Sequence, residues 1–151
     1  KRDMDALTGI YSRRYFMEQM ECFLSQGGGQ GGALVYIDLD RLKQINDTLG
    51  HTMGDQYLIV FAHTFGAYLG AEDVFARLGG DEFAVLLPDC CENDARIRLE
   101  EIRFRLARKE CCGNTISFSF GVAGITGTQN NAAELIRCAD LDMYRDKEQR
   151  R

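Results

Sequence analysis

Two adjacent carboxylates, Asp81 and Glu82, stand between two apolar runs in the stretch ARLGGDEFAVLLP. The flanking runs, Val74 to Leu78 and Phe83 to Leu87, predict the two strands of a β-hairpin whose turn is Gly79–Gly80. Carboxylates at the tip of such a hairpin are available to bind a cation. The same residues also fit an ordinary solvent-exposed turn, so the stretch alone leaves both interpretations open.

A third acid, Asp38, lies at the end of the apolar run ALVYIDL, which predicts a strand from Ala33 to Leu39 buried on both faces. An ionised carboxylate at this position is costly unless donors or a cation reach it. If the hairpin neighbours this strand, its tip brings Asp81 and Glu82 close to Asp38. Repulsion among the three acids then favours a divalent cation, and oxygen ligands select magnesium or manganese over zinc. Asp40 fits a helix cap equally well.

The segment DLDRLKQIN continues from this strand, through a tight turn, into a predicted helix that ends at Gly50. The start of a helix presents free backbone N–H groups and the positive end of the helix dipole, which together favour anions. Carboxylates that hold magnesium usually complete its shell with water and substrate phosphates. The combination with a nearby lysine is typical of a nucleoside triphosphate site.

Hydrophobic periodicity predicts the elements that position these groups. The remaining elements are a helix over Ser12 to Ser25 capped by Ser12, helices over Asp55 to Leu69 and Glu92 to Lys109, a strand over Thr115 to Ile125, and a last helix that follows a capping box of Asn131 and Glu134. This order predicts an α/β (α+β) sandwich with a mixed sheet, because the hairpin is antiparallel while helical crossovers favour parallel neighbours.

Composition narrows the possible functions. The 151 residues suit one domain, and the net charge of −5 argues against nucleic-acid binding. No apolar run approaches the roughly 20 residues that a membrane span needs. The six cysteines contain no C-x-x-C and are accompanied by only two histidines, so zinc spacing is absent and reduced, cytoplasmic thiols are expected.

The chain closely resembles the GGDEF family, the diguanylate cyclases of bacterial signalling. The motif GGDEF stands intact at residues 79–83, and four further blocks match in order: DALTGIYSRRYF from Asp5, YIDLDRLKQINDTLGHTMGDQYL from Tyr36, SFGVA from Ser119 and ADLDMYRDK from Ala139. The resemblance implies a nucleotidyl-cyclase-like fold, with a five-stranded sheet wrapped by about five helices. It also implies the condensation of two GTP into cyclic di-GMP and two pyrophosphates.

The resemblance further implies roles for individual residues. Asp38 and Asp81 would bind two magnesium or manganese ions per active site, with the carbonyl of Leu39 and the carboxylate of Glu82 supporting them. Asp81 would also be the base for the attacking ribose 3′-hydroxyl. The implied substrate-binding groups are the backbone amides of Arg41, Leu42 and Lys43 for the β- and γ-phosphates, Asn46 and Asp55 for the guanine edge, and Lys147 and Arg151 for the triphosphate charge.

Simpler interpretations exist for two of these residues, and the chain departs from the family pattern at several positions. Asp55 also fits a helix cap, and Lys147 also fits a solvated lysine at a helix end. Asp146 stands where the family usually has alanine before the lysine, and this charge is expected to weaken the pull of Lys147 on phosphate. In the stretch GAED, Gly70 replaces the arginine of the family's product-binding Arg-x-x-Asp motif. Weak product feedback is therefore expected, with Asp73 merely opening a strand.

The resemblance also bears on partners and location. Because one domain binds one GTP, it implies a catalytic homodimer with two antiparallel substrates. Residues 1–151 are expected to form a single GGDEF domain of a longer protein. A preceding sensory region would hold any membrane anchor, while this domain stays cytoplasmic without touching the membrane. Two other functions are considered: a non-catalytic GTP-binding regulatory module, which the intact motif disfavours, and a ferredoxin-like RNA-binding or scaffold domain, which the net charge opposes.

Overall fold

A computed structural model of the chain describes residues 3–27, 31–126 and 131–150. In chain order its elements are β1 (Tyr11–Ser12), α1 (Arg13–Ser25), β2 (Gly32–Leu39), α2 (Leu42–Leu49), α3 (His51–Gly66), β3 (Val74–Gly79), β4 (Glu82–Leu87), α4 (Glu92–Leu106), β5 (Glu110–Cys111), β6 (Asn114–Thr115), β7 (Phe118–Ile125) and α5 (Ala132–Gln149). Within these residues, no helix has the combination of length and apolarity that crossing a membrane requires.

The main sheet has five strands in the order β1-β3-β4-β2-β7. The predicted mixed sheet with five helices is thereby confirmed. The β1–β3 pair is parallel, whereas β2 is antiparallel to both β4 and β7. The expectation that helical crossovers produce parallel neighbours therefore fails for β2 and β7. The separate β5–β6 hairpin was not predicted, because strands of two residues are too short to show a periodicity.

The sheet buries apolar side chains on both faces. Residues such as Val35 and Ile37 point to α2, α3 and α4, and we call this side the α2–α4 face. Their neighbours Leu34 and Tyr36 point to α1 and α5, on the side that we call the α1/α5 face. This arrangement follows from the two-residue repeat of a strand, and it explains why β2 is apolar at nearly every position.

Two predicted helix starts are confirmed and one is wrong. The hydroxyl of Ser12 accepts a hydrogen bond from the N–H of Tyr15 (3.3 Å), and the side-chain oxygen of Asn131 accepts one from the N–H of Glu134 (3.2 Å). Helix α3 begins at His51 instead of Asp55, directly after Gly50, whose φ of 93° separates it from α2. Asp55 consequently lies inside the first turns of α3 and does not cap it.

Candidate active site

Strand register brings the predicted acids to one end of the sheet. Asp38 on β2 pairs directly with Glu82 on β4 and, on its other side, with Ser119 on β7. The three side chains form a polar row across the α1/α5 face. The backbone N–H of Leu39 donates to the carbonyl of Asp81 (3.0 Å), which ties the hairpin turn to the end of β2. The hairpin is therefore a neighbour of β2, as the proximity of the acids required.

The hairpin turn differs by one residue from the expected one. Gly79 pairs with Glu82, so the two turn residues are Gly80 and Asp81 rather than the two glycines. Gly80 has a φ of 49°, in the left-handed region that glycine adopts readily. The Arg77 guanidinium steadies this turn, because its Nε donates to the Gly80 carbonyl (3.0 Å) while its Nη1 lies 3.4 Å from the Asp5 carboxylate. The DALTG block thus supports the acidic turn.

The Asp38 carboxylate is largely buried and lies close to both a positive and a negative side chain. Its Oδ2 accepts a hydrogen bond of 2.5 Å from the ammonium of Lys147, whereas its buried Oδ1 has no hydrogen-bond partner among the described residues. Burial, together with the nearby Asp81, raises the pKa of Asp38 to about 6 despite the ion pair with Lys147. Burial acts to lower the pKa of Lys147, but its hydrogen bond to Asp38 and the charges of the nearby aspartates together raise the pKa. The unpaired oxygen is suited to a cation.

The fit of a divalent cation depends on two carboxylates rather than three. Across the described ranges, no group of three or more His, Cys, Asp or Glu side chains is arranged to hold a metal. The Glu82 carboxylate is directed to the hydroxyl of Tyr36, whose pKa is raised by burial and then by the hydrogen bond and charge of Glu82. Asp38 and Asp81 still fit, because they are adjacent acids and Asp38 carries a buried oxygen without a donor.

Helix α5 is fixed on the edge strand β7 by two aspartates. Asp142 and Asp146 accept the backbone N–H groups of Val122 and Phe120, each at 2.9 Å. The two aspartates are four residues apart on a helix, which is about 6 Å, and their two partners are two residues apart on a strand, which is about 6.6 Å. The spacing of the carboxylates therefore matches that of the N–H groups. Between them Gly121 lies directly under the helix, where an added Cβ would be 2.1 Å from the N of Met143. This contact sets the position of the whole helix, including Lys147.

The charge of Asp146 is already paired in this arrangement. Its Oδ2 receives Arg103 Nη1 at 2.6 Å as well as the N–H of Phe120. Arg96 from the same helix α4 pairs in the same way with Asp142 at 2.7 Å. The expectation that Asp146 weakens the pull of Lys147 on phosphate is therefore not supported, because the Asp146 carboxylate is engaged by β7 and α4.

A pocket of about 470 Å³ lies beside this cluster. It is lined by Asp40, Arg41, Gln44, Ser117, Ser119, Lys147 and Arg150. Asp40 does not cap α2, since its two carboxylate oxygens accept from Ser117 (2.6 Å), Ser119 (2.7 Å) and Arg150 (3.2 Å). These last three residues were missed by the sequence reasoning. Only the SFGVA block, which includes Ser119, offered a signal for any of them.

The start of α2 opens on the same pocket. Arg41 is the N-cap residue and makes no side-chain capping bond within the described residues, so the first N–H groups of the helix lack a side-chain acceptor. Its own Nε is buried and likewise has no acceptor there. Within the described residues, an acceptor without a donor at Asp38 and a donor without an acceptor at Arg41 are thus linked through Lys147, which binds Asp38 and lines the pocket with Arg41.

Comparison with known proteins agrees with this geometry. The family model described as "Diguanylate cyclase, GGDEF domain" matches residues 2–151. The chain belongs to the GGDEF family. It is 37% identical to the probable diguanylate cyclase DgcE of Escherichia coli over 95% of this chain, and 34% identical to the response regulator PleD of Caulobacter vibrioides over 95%. It spans only 14% of the length of DgcE and 33% of that of PleD.

A solved structure of similar extent shows the same fold. The GGDEF domain of YfiN from Pseudomonas aeruginosa superimposes with a TM-score of 0.87 at 33% identity, and the match covers 97% of this chain and 89% of that one. The likeness extends over nearly the whole domain, so it includes both the strands that carry the acids and the helix that carries Lys147.

The remaining expected substrate-binding residues of this GGDEF domain lie along α2 and α3. The Lys43 side chain pairs with Asp47 at 3.0 Å in solvent. The Asn46 carboxamide lies against Gly54, where an added Cβ would be 1.8 Å from its Oδ1. Asp55 follows Gly54 in α3 and is exposed. Leu42 is buried, and Arg151 lies outside the described residues.

The position of the family's product-binding motif is occupied by a closed turn. Asp73 directly precedes β3, and its Oδ2 accepts from the N–H of Gly70 (2.7 Å). The same oxygen lies 3.3 Å from Arg98 Nη2 on α4. Asp73 therefore does more than open a strand, because it closes the turn and joins β3 to α4.

Proposed function

We propose that this GGDEF domain is an active diguanylate cyclase, which condenses two GTP molecules into cyclic di-GMP and releases two pyrophosphates. One observation carries the proposal: a buried Asp38 oxygen lacks a hydrogen-bond partner among the described residues, and its carboxylate is bound by Lys147, which lines the pocket. Arg41, the N-cap residue of α2, lines the same pocket, and its buried Nε has no acceptor among those residues. Such a site calls for a cation and an anion together, and a nucleoside triphosphate with its divalent cations supplies both.

Asp38, Asp81 and the carbonyl of Leu39 are the proposed ligands of two magnesium or manganese ions, and Glu82 supports this metal site. When bound, the two cations lower the pKa of the attacking ribose hydroxyl and offset the charge on the leaving pyrophosphate. Asp38 fits this role because it is held at the end of β2 beside the Gly80–Asp81 turn. Lys147 balances its charge in the absence of substrate.

The chain's other groups bind and orient the substrate. The amides of Arg41, Leu42 and Lys43 at the start of α2 are proposed to hold the β- and γ-phosphates, with Lys147 and Arg151 neutralising the triphosphate. Asn46 on α2 and Asp55 on α3 are proposed to read guanine. A carboxylate suits the two donors, N1–H and N2–H₂, that guanine presents on one edge.

Proton transfer is assigned to Asp81. In the proposed reaction its carboxylate accepts the proton of the 3′-hydroxyl, whose oxygen then attacks the α-phosphate of a second GTP and displaces pyrophosphate. Repeating the step on the other nucleotide closes the ring. Since each domain offers one such site, two copies must face each other with antiparallel substrates. The proposed GTP substrate supports a cytoplasmic location for this domain.

Incubation of the domain with GTP and magnesium, followed by chromatography, tests the proposal. We expect cyclic di-GMP, formed at a rate that rises more steeply than enzyme concentration because the active species is a weak dimer. GTP that binds but stays unchanged would point to a non-catalytic regulatory module. Absence of GTP binding would refute both functions, and strict linearity down to nanomolar enzyme would refute the dimer.

A further inference from the structure

The chain contains two vicinal cysteine pairs that the proposed function does not use, Cys90–Cys91 and Cys111–Cys112. They differ in geometry. Cys90 is buried and Cys91 is exposed at the start of α4, so their side chains diverge. Cys111 and Cys112 are both half-buried, and their sulfur atoms are 3.2 Å apart. One pair is thus arranged as two independent thiols and the other as a dithiol.

The backbone of Cys112 explains why the second pair meets. Successive side chains of an extended chain point to opposite sides, which would separate the two thiols. Cys112 has a φ of 59°, and no other non-glycine residue in the described ranges has a positive φ. This left-handed conformation, between β5 and β6, turns its side chain back beside Cys111. Such a conformation is costly outside glycine, and outliers of this kind cluster at functional sites.

The surroundings hold the pair in place. Cys111 packs against the apolar core of the α2–α4 face, and the thiol of Cys112 donates to the carbonyl of Met53 in the first turn of α3 (3.8 Å). At the end of β6 and just after it, the hydroxyl of Tyr57 donates to the carbonyl of Thr115 and accepts from the N–H of Ser117, each at 3.0 Å. The hairpin is therefore fixed on α3 with both sulfur atoms on the same side.

We propose that Cys111 and Cys112 form a dithiol modification site, which small-molecule disulfides oxidise to a vicinal disulfide. The Cys112 thiolate attacks one sulfur of the reagent and expels the other as a thiolate, which takes up a proton. The Cys111 sulfur then loses its proton and attacks Cys112, which expels the second half of the reagent as a thiol. The protein loses two hydrogen atoms, and the reagent is reduced to two thiols.

The environment of Cys111 supports this order of attack. Burial, followed by the hydrogen bond and charge of Cys112, raises the pKa of Cys111 to about 11. The raised pKa and the packing of Cys111 against the core both disfavour its thiolate, the reactive form, so the first attack is assigned to Cys112. Once the mixed disulfide forms on Cys112, the neighbouring sulfur is already within contact distance and resolves it.

Mass spectrometry of the reduced chain after treatment with glutathione disulfide tests the site. We expect the Cys111–Cys112 peptide to lose two hydrogen atoms about tenfold faster than the Cys90–Cys91 peptide, since only the first pair is preassembled. Equal rates in the two peptides would overturn the proposal, as would a lasting glutathione adduct on Cys112. The readout is independent of cyclase activity.

Matched variants separate the two thiols. In Cys111→Ser, oxidation is expected to stop at a glutathione adduct on Cys112, whereas Cys90→Ser leaves the rate at the other pair unchanged. Phenylarsine oxide, which bridges neighbouring thiols, should be retained on the Cys111–Cys112 peptide and lost in Cys111→Ser. Retention in that variant, or equal retention on the Cys90–Cys91 peptide, would contradict a site formed by this pair.

Discussion

The two faces of the central sheet have different roles, although the same strands contribute side chains to both. On the α2–α4 face, rings from α3 and three strands pack together: the Phe61 ring lies 4.9 Å from Phe83 and 5.6 Å from Phe118. On the α1/α5 face, the apolar layer ends in the polar row of Glu82, Asp38 and Ser119.

The difference shows how a small domain can hold a buried acid. Ile37 and Asp38 are consecutive, yet the strand repeat sends Ile37 into the apolar core and Asp38 towards α5. Burial on the α2–α4 face stabilises the sheet, so the other face can keep a carboxylate whose environment raises its pKa. Stability and proposed chemistry are therefore separable by substitution.

The largest effect on activity is expected for Asp81→Asn, next to the polar row of the α1/α5 face. The variant removes the proposed base and a proposed metal ligand, so turnover should fall roughly 10²–10⁴-fold or more. The fold should survive, since one less charge relieves repulsion near Asp38. Steady-state cyclic di-GMP formation and thermal unfolding check the two statements. Near-native activity would make Asp81 a turn residue only.

Phe61→Ala on the α2–α4 face should instead lower the stability of the fold. Phe61 is fully buried, and its removal leaves a cavity among the neighbouring rings, which should lower the free energy of unfolding by about 3–5 kcal/mol. Phe104→Ala on α4 is the matched control, because this ring is 65% exposed and its loss should change stability by about 0.5 kcal/mol or less. Denaturant unfolding of the two variants measures the contrast, and equal losses would contradict it.

Gly54→Ala probes the junction of α2 and α3. The new methyl group would displace the Asn46 carboxamide, which lies 1.8 Å from the ideal Cβ position. Because a side chain can swing away, GTP affinity should drop about tenfold with a small change in stability. Gly66→Ala in the same helix would meet only Phe75 at 3.6 Å and should leave GTP binding intact. Fluorescence or calorimetric titration with a GTP analogue distinguishes the two variants.

The Asp5–Arg77 pair that supports the acidic turn predicts a pH dependence. Burial acts to raise the pKa of Asp5, but hydrogen bonds from Thr8 and the charge of Arg77 outweigh it and lower the pKa. The stabilisation is thus present above the ordinary aspartate value of about 3.9 and is lost as the pH falls through the folded-state pKa.

Asp5→Asn should therefore cost about 1 kcal/mol at pH 7 and less at pH 3. Unfolding free energies measured across this range check the trend, with Glu18→Gln as a control at an exposed ion pair. A difference between wild type and Asp5→Asn that grows on acidification would show that the pair does not act as described.

The smallest effect is expected at Asp73, away from both faces. This position lacks the arginine that a bidentate contact needs. The affinity for cyclic di-GMP there should therefore be about 2–3 kcal/mol weaker, or roughly a hundredfold, than at a site that has the arginine. Asp73→Ala should therefore change cyclic di-GMP binding less than about twofold in calorimetry. Submicromolar binding that disappears in Asp73→Ala, and also in Arg98→Ala, would show that Arg98 replaces the missing arginine.

The sequence by itself determined the features that depend on neighbours along the chain. The caps at Ser12 and Asn131 are bonds across three residues, and the alternation of β2 and the hairpin strands is a local repeat. The block matches then identified the family, because five spaced motifs carry far more information than any single one. The candidate acids Asp38 and Asp81 followed from these local patterns together with that resemblance.

Only the tertiary structure decided which distant groups meet. Lys147 reaches Asp38 across 109 residues, and Arg150 reaches Asp40 across 110. Their partners depend on how α5 is registered on β7 through Asp142 and Asp146, which no local pattern reveals. The same reason applies to Cys112, whose left-handed backbone is stabilised by a hairpin held on α3. Local hydrogen bonding and periodicity are determined by residues that are close together in the sequence. The surroundings of a buried charge, in contrast, exist only after the sheet and helices have packed.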